Sequence, residues 1–90
     1  MSEYSDIMRR IRTISSLGAT LRGARKNARL TQAELATRSG LSRATIIKIE
    51  SGARFDISGL FSVMRALDLE MSITALEERG ASFLDDTEEL

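Results

Sequence analysis

Residues 31–52, TQAELATRSGLSRATIIKIESG, constrain the fold more than any other part of the chain. Thr31 and Glu34 have capping-box spacing: the threonine oxygen takes an orphan N–H at a helix start, and the glutamate reaches back to the cap. Leu35 and Ala36 are the inward residues of the helix that follows. Gly40 comes after Ser39, where glycine turns the chain left-handed without a Cβ penalty. Leu41 then inserts between two helices, and Ser42 is the next N-cap. Ile46 and Ile49, three apart, give the second helix a buried stripe, and Gly52 stops it. A short helix, a glycine-containing turn and another short helix form the helix-turn-helix signature. Such a unit sets its second helix into the major groove of DNA.

Charge supports that reading through its placement. The 90 residues are formally neutral overall. Residues 1–54 nevertheless hold eleven basic and four acidic side chains, a formal +7, and residues 55–90 hold two basic and nine acidic, −7. The basic half contains the helix-turn-helix and suits a polyanion; two ordinary solvated faces are the alternative. The chain has no cysteine and no histidine, which removes disulfides, cysteine-based zinc sites and catalysis by either residue. Carboxylates are scattered over surface positions and the tail, so no acid–base or metal constellation emerges, and neither an enzyme nor a cofactor is expected. No apolar run approaches the ~20 residues of a membrane helix, and the N-terminus lacks a signal-peptide core. The expectation is one cytoplasmic domain with no membrane partner. Its core is thin enough that oligomerisation would help.

Along the chain, residues 1–15 read as an N-terminal arm or extra helix. Ile7, Ile11 and Ile14 share one helical face, with Arg9, Arg10 and Arg12 off it. The segment could dock on a partner subunit, lie near phosphates, or be a frayed terminus. The domain itself is expected over residues 16–67. Its first helix should span about 16–28, with Leu17, Leu21, Ala24 and Ala28 inward and Arg22, Lys26 and Arg29 outside. Arg25 sits near the inner edge, where it can pair with Glu50 or cover surface with its methylene stem. Asp56 or Ser58 can cap a last helix, residues 57–67, whose stripe is Leu60, Val63, Met64 and Leu67, with Phe61 beside it.

The period then changes. Leu67, Leu69, Met71, Ile73 and Ala75 alternate with Asp68, Glu70, Ser72 and Thr74, the pattern of a β-strand over residues 68–76. A lone strand leaves its N–H and C=O groups unpaired. No other stretch reads as its partner, so pairing with the same strand of a second molecule is the economical answer; a continuing helix with a mixed face is the alternative. Residues 77–90 read as an acidic, flexible tail. Phe83 and Leu84 are its apolar pair, either a short anchor for another protein or without a role.

With these residues in view, the chain resembles the Cro/XRE (lambda-repressor-like) helix-turn-helix family. The likeness rests on TQAELA, Gly40–Leu41, Ala44–Thr45–Ile46 and Ile49–Glu50–Ser51–Gly52, and covers residues 16–67. LDLEMSITAL after the last helix, and the ATI triplet, look like HipB-type antitoxins. The resemblance implies a mostly α, four- to five-helix DNA-binding domain with a C-terminal strand (Leu69, Met71, Ile73) pairing across a homodimer. It also implies a repressor of its own operon, bound to a HipA-like kinase toxin. Two departures limit the carry-over: the first fifteen residues are more than such a protein needs, and the tail has no tryptophan.

The expected DNA surface follows. Ser42, Arg43, Ala44, Ile47 and Lys48 are not needed for the core stripe and line the outward face of the second motif helix. By family position Arg43, Ala44 and Lys48 meet base edges. Arg43 can grip guanine O6 and N7, and Ala44 and Ile47 offer methyl surface to thymine. Ile47 either meets DNA or joins the core. Gln32 can donate to a phosphate at the start of the first motif helix, the family's role for a glutamine there. Thr45 reaches a phosphate or bonds a carbonyl one turn back. Arg54, Arg29 and Lys26 are further phosphate candidates. The expected partner is a palindromic double-stranded operator. A stand-alone or phage-type regulator without a toxin, and a protein-interaction module on the same scaffold, are the alternatives.

Overall fold

The computed structural model describes residues 10–75. Among them are four helices: α1 (Ile14–Asn27), α2 (Gln32–Ser39), α3 (Arg43–Ser51) and α4 (Ile57–Ala66). Helix α3 packs against α1 and α2, and α2 packs against α4. Leu21, Leu35, Ala36, Ile46, Ile49, Leu60, Val63 and Met64 form the core, flanked by the half-buried Leu17, Leu41, Phe55, Ala66 and Leu67. Burying each of the larger side chains contributes about 1.5–3 kcal/mol. Ile7, Arg9, Phe83, Leu84 and the acidic tail lie outside the described residues.

The central motif closes on itself. The Thr31 hydroxyl accepts the Glu34 N–H at 3.0 Å and the Glu34 carboxylate accepts the Thr31 N–H at 2.8 Å, so the capping box is complete. Gly40 (φ 74°) and Gly52 (φ 85°) end α2 and α3 in the left-handed conformation. In each, the next residue donates to a carbonyl five positions back: Leu41 to Ala36 at 3.0 Å and Ala53 to Lys48 at 3.0 Å. This is the Schellman terminator.

Helix α1 differs from expectation at its start, on its inner face and at its end. It begins at Ile14, two residues early, because the Thr13 hydroxyl accepts the Ser16 N–H at 2.9 Å and caps it there. Ile14 is therefore helical and belongs to the domain. The fully buried face is Gly18, Leu21 and Arg25; Leu17 and Ala24 flank it, and Ala28 is exposed. The cause is Gly18. A Cβ there would lie 2.5 Å from the Ile49 carbonyl oxygen and 2.8 Å from that of Glu50, so the α1 backbone rests directly on the last turn of α3. Arg25, two helical turns further, is carried onto the same face. The helix ends with Arg29 at φ 63° and the Leu30 N–H bonded to the Arg25 carbonyl at 3.2 Å, the same terminator without glycine.

Helix α4 starts after Asp56, whose side chain makes no capping bond and instead accepts the Ser58 hydroxyl. At the other end Asp68 takes φ 57°, and the Leu69 N–H bonds the Met64 carbonyl at 2.8 Å. Asp68 thus finishes a helix and does not open a strand. Residues 69–75 have no regular secondary structure, and no ladder forms among the described residues. The strand expected over 68–76 does not appear among the described residues. A strand exists by hydrogen bonding to another, and no described residue pairs with this segment. Leu69, Met71 and Ile73 stay in solvent, Ile73 at 86 % exposure.

Candidate nucleic-acid interface

Helix α3 is divided sharply. Ile46 and Ile49 are each 1 % exposed. Arg43, Ala44, Ile47 and Lys48 are all exposed, at positions that share one outer face, and Ser42 is exposed ahead of them. Ile47 is 42 % exposed, so it does not join the core.

The start of the helix is held by its own polar side chains. Ser42 Oγ accepts the Thr45 N–H at 3.1 Å and lies 2.9 Å from the Thr45 hydroxyl. Ser42 therefore both caps α3 and stands at the end expected to meet bases. Thr45 bonds Ser42 rather than a carbonyl one turn back.

Beneath this surface, Arg25 and Glu50 form the expected pair. Arg25 Nε donates to Glu50 Oε2 at 2.6 Å and Nη2 to Oε1 at 3.1 Å, with side chains 9 % and 4 % exposed. Arg25 Nη1 also donates to the Leu30 carbonyl at 2.7 Å. A two-pronged arginine–carboxylate contact restores much of what desolvation costs, and removing one member of such a buried pair costs about 3–5 kcal/mol. Gln32 joins the pair, its Nε2 donating to Glu50 Oε1 at 3.2 Å.

The structure thus brings Gln32 onto the Arg25–Glu50 pair, Ser42 onto Thr45, and Arg43, Ala44, Ile47 and Lys48 onto one face. Lys26 and Arg29 are exposed at the end of α1. Arg54 is exposed and lines a groove with Ile14, Leu17, Phe55, Ile57 and Leu60. Sequence reasoning missed the Gln32–Glu50 bond, the Leu30 carbonyl as an arginine acceptor, and Gly18. Only Gly18 left a signal: an isolated glycine inside a helical pattern asks for a packing reason.

Residues 16–69 match the model of a family described as helix-turn-helix domain. No curated protein matches the chain. Among solved structures, the chain is similar to HipB in a complex with an O2 20-mer: 25% identity, TM-score 0.72, covering 78% of this chain and 99% of that one. It has the fold of a chain in a HipA–HipB–O2–O3 complex, with TM-score 0.72 at 24% identity, covering 78% and 100%. It is also similar to the restriction-modification controller protein C.AhdI from Aeromonas hydrophila: 33% identity, TM-score 0.60, covering 63% and 88%.

Proposed function

We propose that this chain, which belongs to the Cro/XRE-type helix-turn-helix family, is a sequence-specific repressor that binds double-stranded DNA as a homodimer. The observation that carries the reading is the division of α3: its isoleucine seam is buried, and its Arg43–Ala44–Ile47–Lys48 flank is open to solvent. That flank with Ser42 reads base edges, and Gln32, Thr45, Arg54, Arg29 and Lys26 meet phosphates. The dimer forms when the segment carrying Leu69, Met71 and Ile73 pairs with its copy. Two recognition helices then address half-sites about 34 Å apart or a multiple of that.

Binding to a duplex from upstream of its own gene, followed by anisotropy, tests this. Affinity should fall steeply between about 50 and 200 mM salt. Arg43→Ala should relax discrimination at one base position per half-site by about 1–3 kcal/mol. An equal loss on every sequence would assign Arg43 to a phosphate instead. No duplex binding at low salt would leave a protein-interaction module on this scaffold.

Within that reading the chain acts as an antitoxin that represses its own operon and binds a HipA-like kinase toxin in the cytoplasm. The likeness to HipB over 99% of HipB's length supports this. A regulator without a toxin is the second reading, favoured by the 33% identity to a restriction-modification controller. Co-purification with the product of the adjacent gene separates them: a stable complex with a kinase supports the antitoxin, and its absence supports the stand-alone regulator.

A further inference from the structure

We infer that Glu50 is a positioning residue for DNA binding: neutralised by Arg25, it holds the Gln32 amide in the orientation that meets a phosphate. This rests on the DNA-binding reading above and assigns a role to two residues that cannot reach the duplex themselves.

Arg25 is 7 % exposed, and its guanidinium is engaged by Glu50 and by the Leu30 carbonyl. Three of its five N–H donors are used inside the protein, and with its side chain 9 % exposed it offers DNA little surface. Glu50 is a carboxylate, an acceptor only, so it can hold Gln32 solely through the amide nitrogen. The bond from Gln32 Nε2 to Glu50 Oε1 therefore settles which end of the amide faces inward. One amide N–H is used on Glu50 and the other remains to donate. Gln32 is the first residue of α2 and its side chain is half-buried, so it is held on one side and open on the other. A bare carboxylate at this place would repel a phosphate; the two-pronged contact with Arg25 cancels that charge. The three side chains come from three helices, so the anchor on α2 is tied to the last turn of the recognition helix. A glutamine fixed beforehand loses less freedom on binding than one that must be ordered by the duplex.

A phosphate contact is independent of sequence, so a mixed-sequence 20-base-pair duplex at low salt is a sufficient probe. Gln32→Ala, Glu50→Gln and the double variant are compared at a temperature where circular dichroism shows each folded. Gln32→Ala should weaken binding about five-fold, and Glu50→Gln by a similar factor, while the double variant loses little more. The sign for Glu50→Gln is diagnostic, because losing a negative charge would by field alone tighten binding to DNA. Tighter or unchanged binding by Glu50→Gln, or losses that simply multiply, overturns the inference. Should Glu50→Gln not fold, Glu50→Asp keeps the charge facing Arg25 and shortens the reach to Gln32; it should show the same non-additivity. A DNA-free readout separates the two levels. In the free protein a nuclear Overhauser effect should link the Gln32 amide protons to the Glu50 side chain. Its absence overturns the positioning role even when duplex binds. Its presence in a wild type that binds no duplex overturns the DNA reading, and this role with it.

Discussion

Residues 31–52 and residues 68–75 carry apolar patterns of similar clarity, and the chain treats them differently. The first region satisfies itself. Its capping box, its two glycine terminators and its two-isoleucine seam find their partners within the same molecule. The second region has its alternation but no pairing partner among the described residues, and its Met71 and Ile73 side chains remain exposed. Periodicity states which face wants to be covered; it does not say whether the cover comes from the same chain.

The largest expected effect breaks the self-closure of the first region. Gly18→Ala places a Cβ 2.5 Å from a backbone carbonyl, which cannot move aside as a flexible side chain would. It should destabilise the fold by about 3 kcal/mol, the upper end for overpacking, measured by chemical denaturation. Wild-type stability would show that α1 does not lie on α3 as described. Next comes the second region. Ile73→Asp should raise the homodimer dissociation constant at least about ten-fold, which is about 1.4 kcal/mol, by analytical ultracentrifugation. Unfolding of the monomer should shift by no more than about 0.5 kcal/mol, because Ile73 touches no core in one chain. A dimer that survives the charge is built elsewhere. The smallest effect sits at the boundary. Asp68→Gly should stabilise the monomer by about 1 kcal/mol, since glycine adopts φ 57° without the Cβ penalty. No gain would mean that Asp68 offsets its strain through a contact of its own.

The comparison also shows how far the residues alone could be read. The helix-turn-helix was legible because its signals are short-range. Thr31 meets Glu34 three residues on, Ser42 caps Thr45 at the same distance, and glycine marks its own left-handed turns. The outward flank of α3 followed by exclusion once Ile46 and Ile49 were assigned inward. The terminators at Arg29 and Asp68 were not legible. They use the same hydrogen bonds as the glycine ones but with an arginine, which carries no left-handed signature, and an aspartate, whose left-handed tolerance is too weak to mark a helix end by itself. Helix α1 was misjudged for a related reason. Its hydrophobic row of Leu17, Leu21, Ala24 and Ala28 placed Leu21 in the core and Leu17 against it, but Ala28 is exposed, and the fully buried face is centred by Gly18, the residue that lets two backbones meet.

The sequence by itself determined the helices of the motif, their caps and the polarity of the recognition helix, because each depends on residues within a turn or so of one another. Tertiary structure decided which side of α1 is buried, that Arg25, Gln32 and Glu50 share one hydrogen-bonded centre, and that residues 69–75 find no partner among the described residues. Those outcomes depend on how helices lie against each other. Groups 18 and 25 residues apart in the chain come within 3.2 Å only after the backbones have packed.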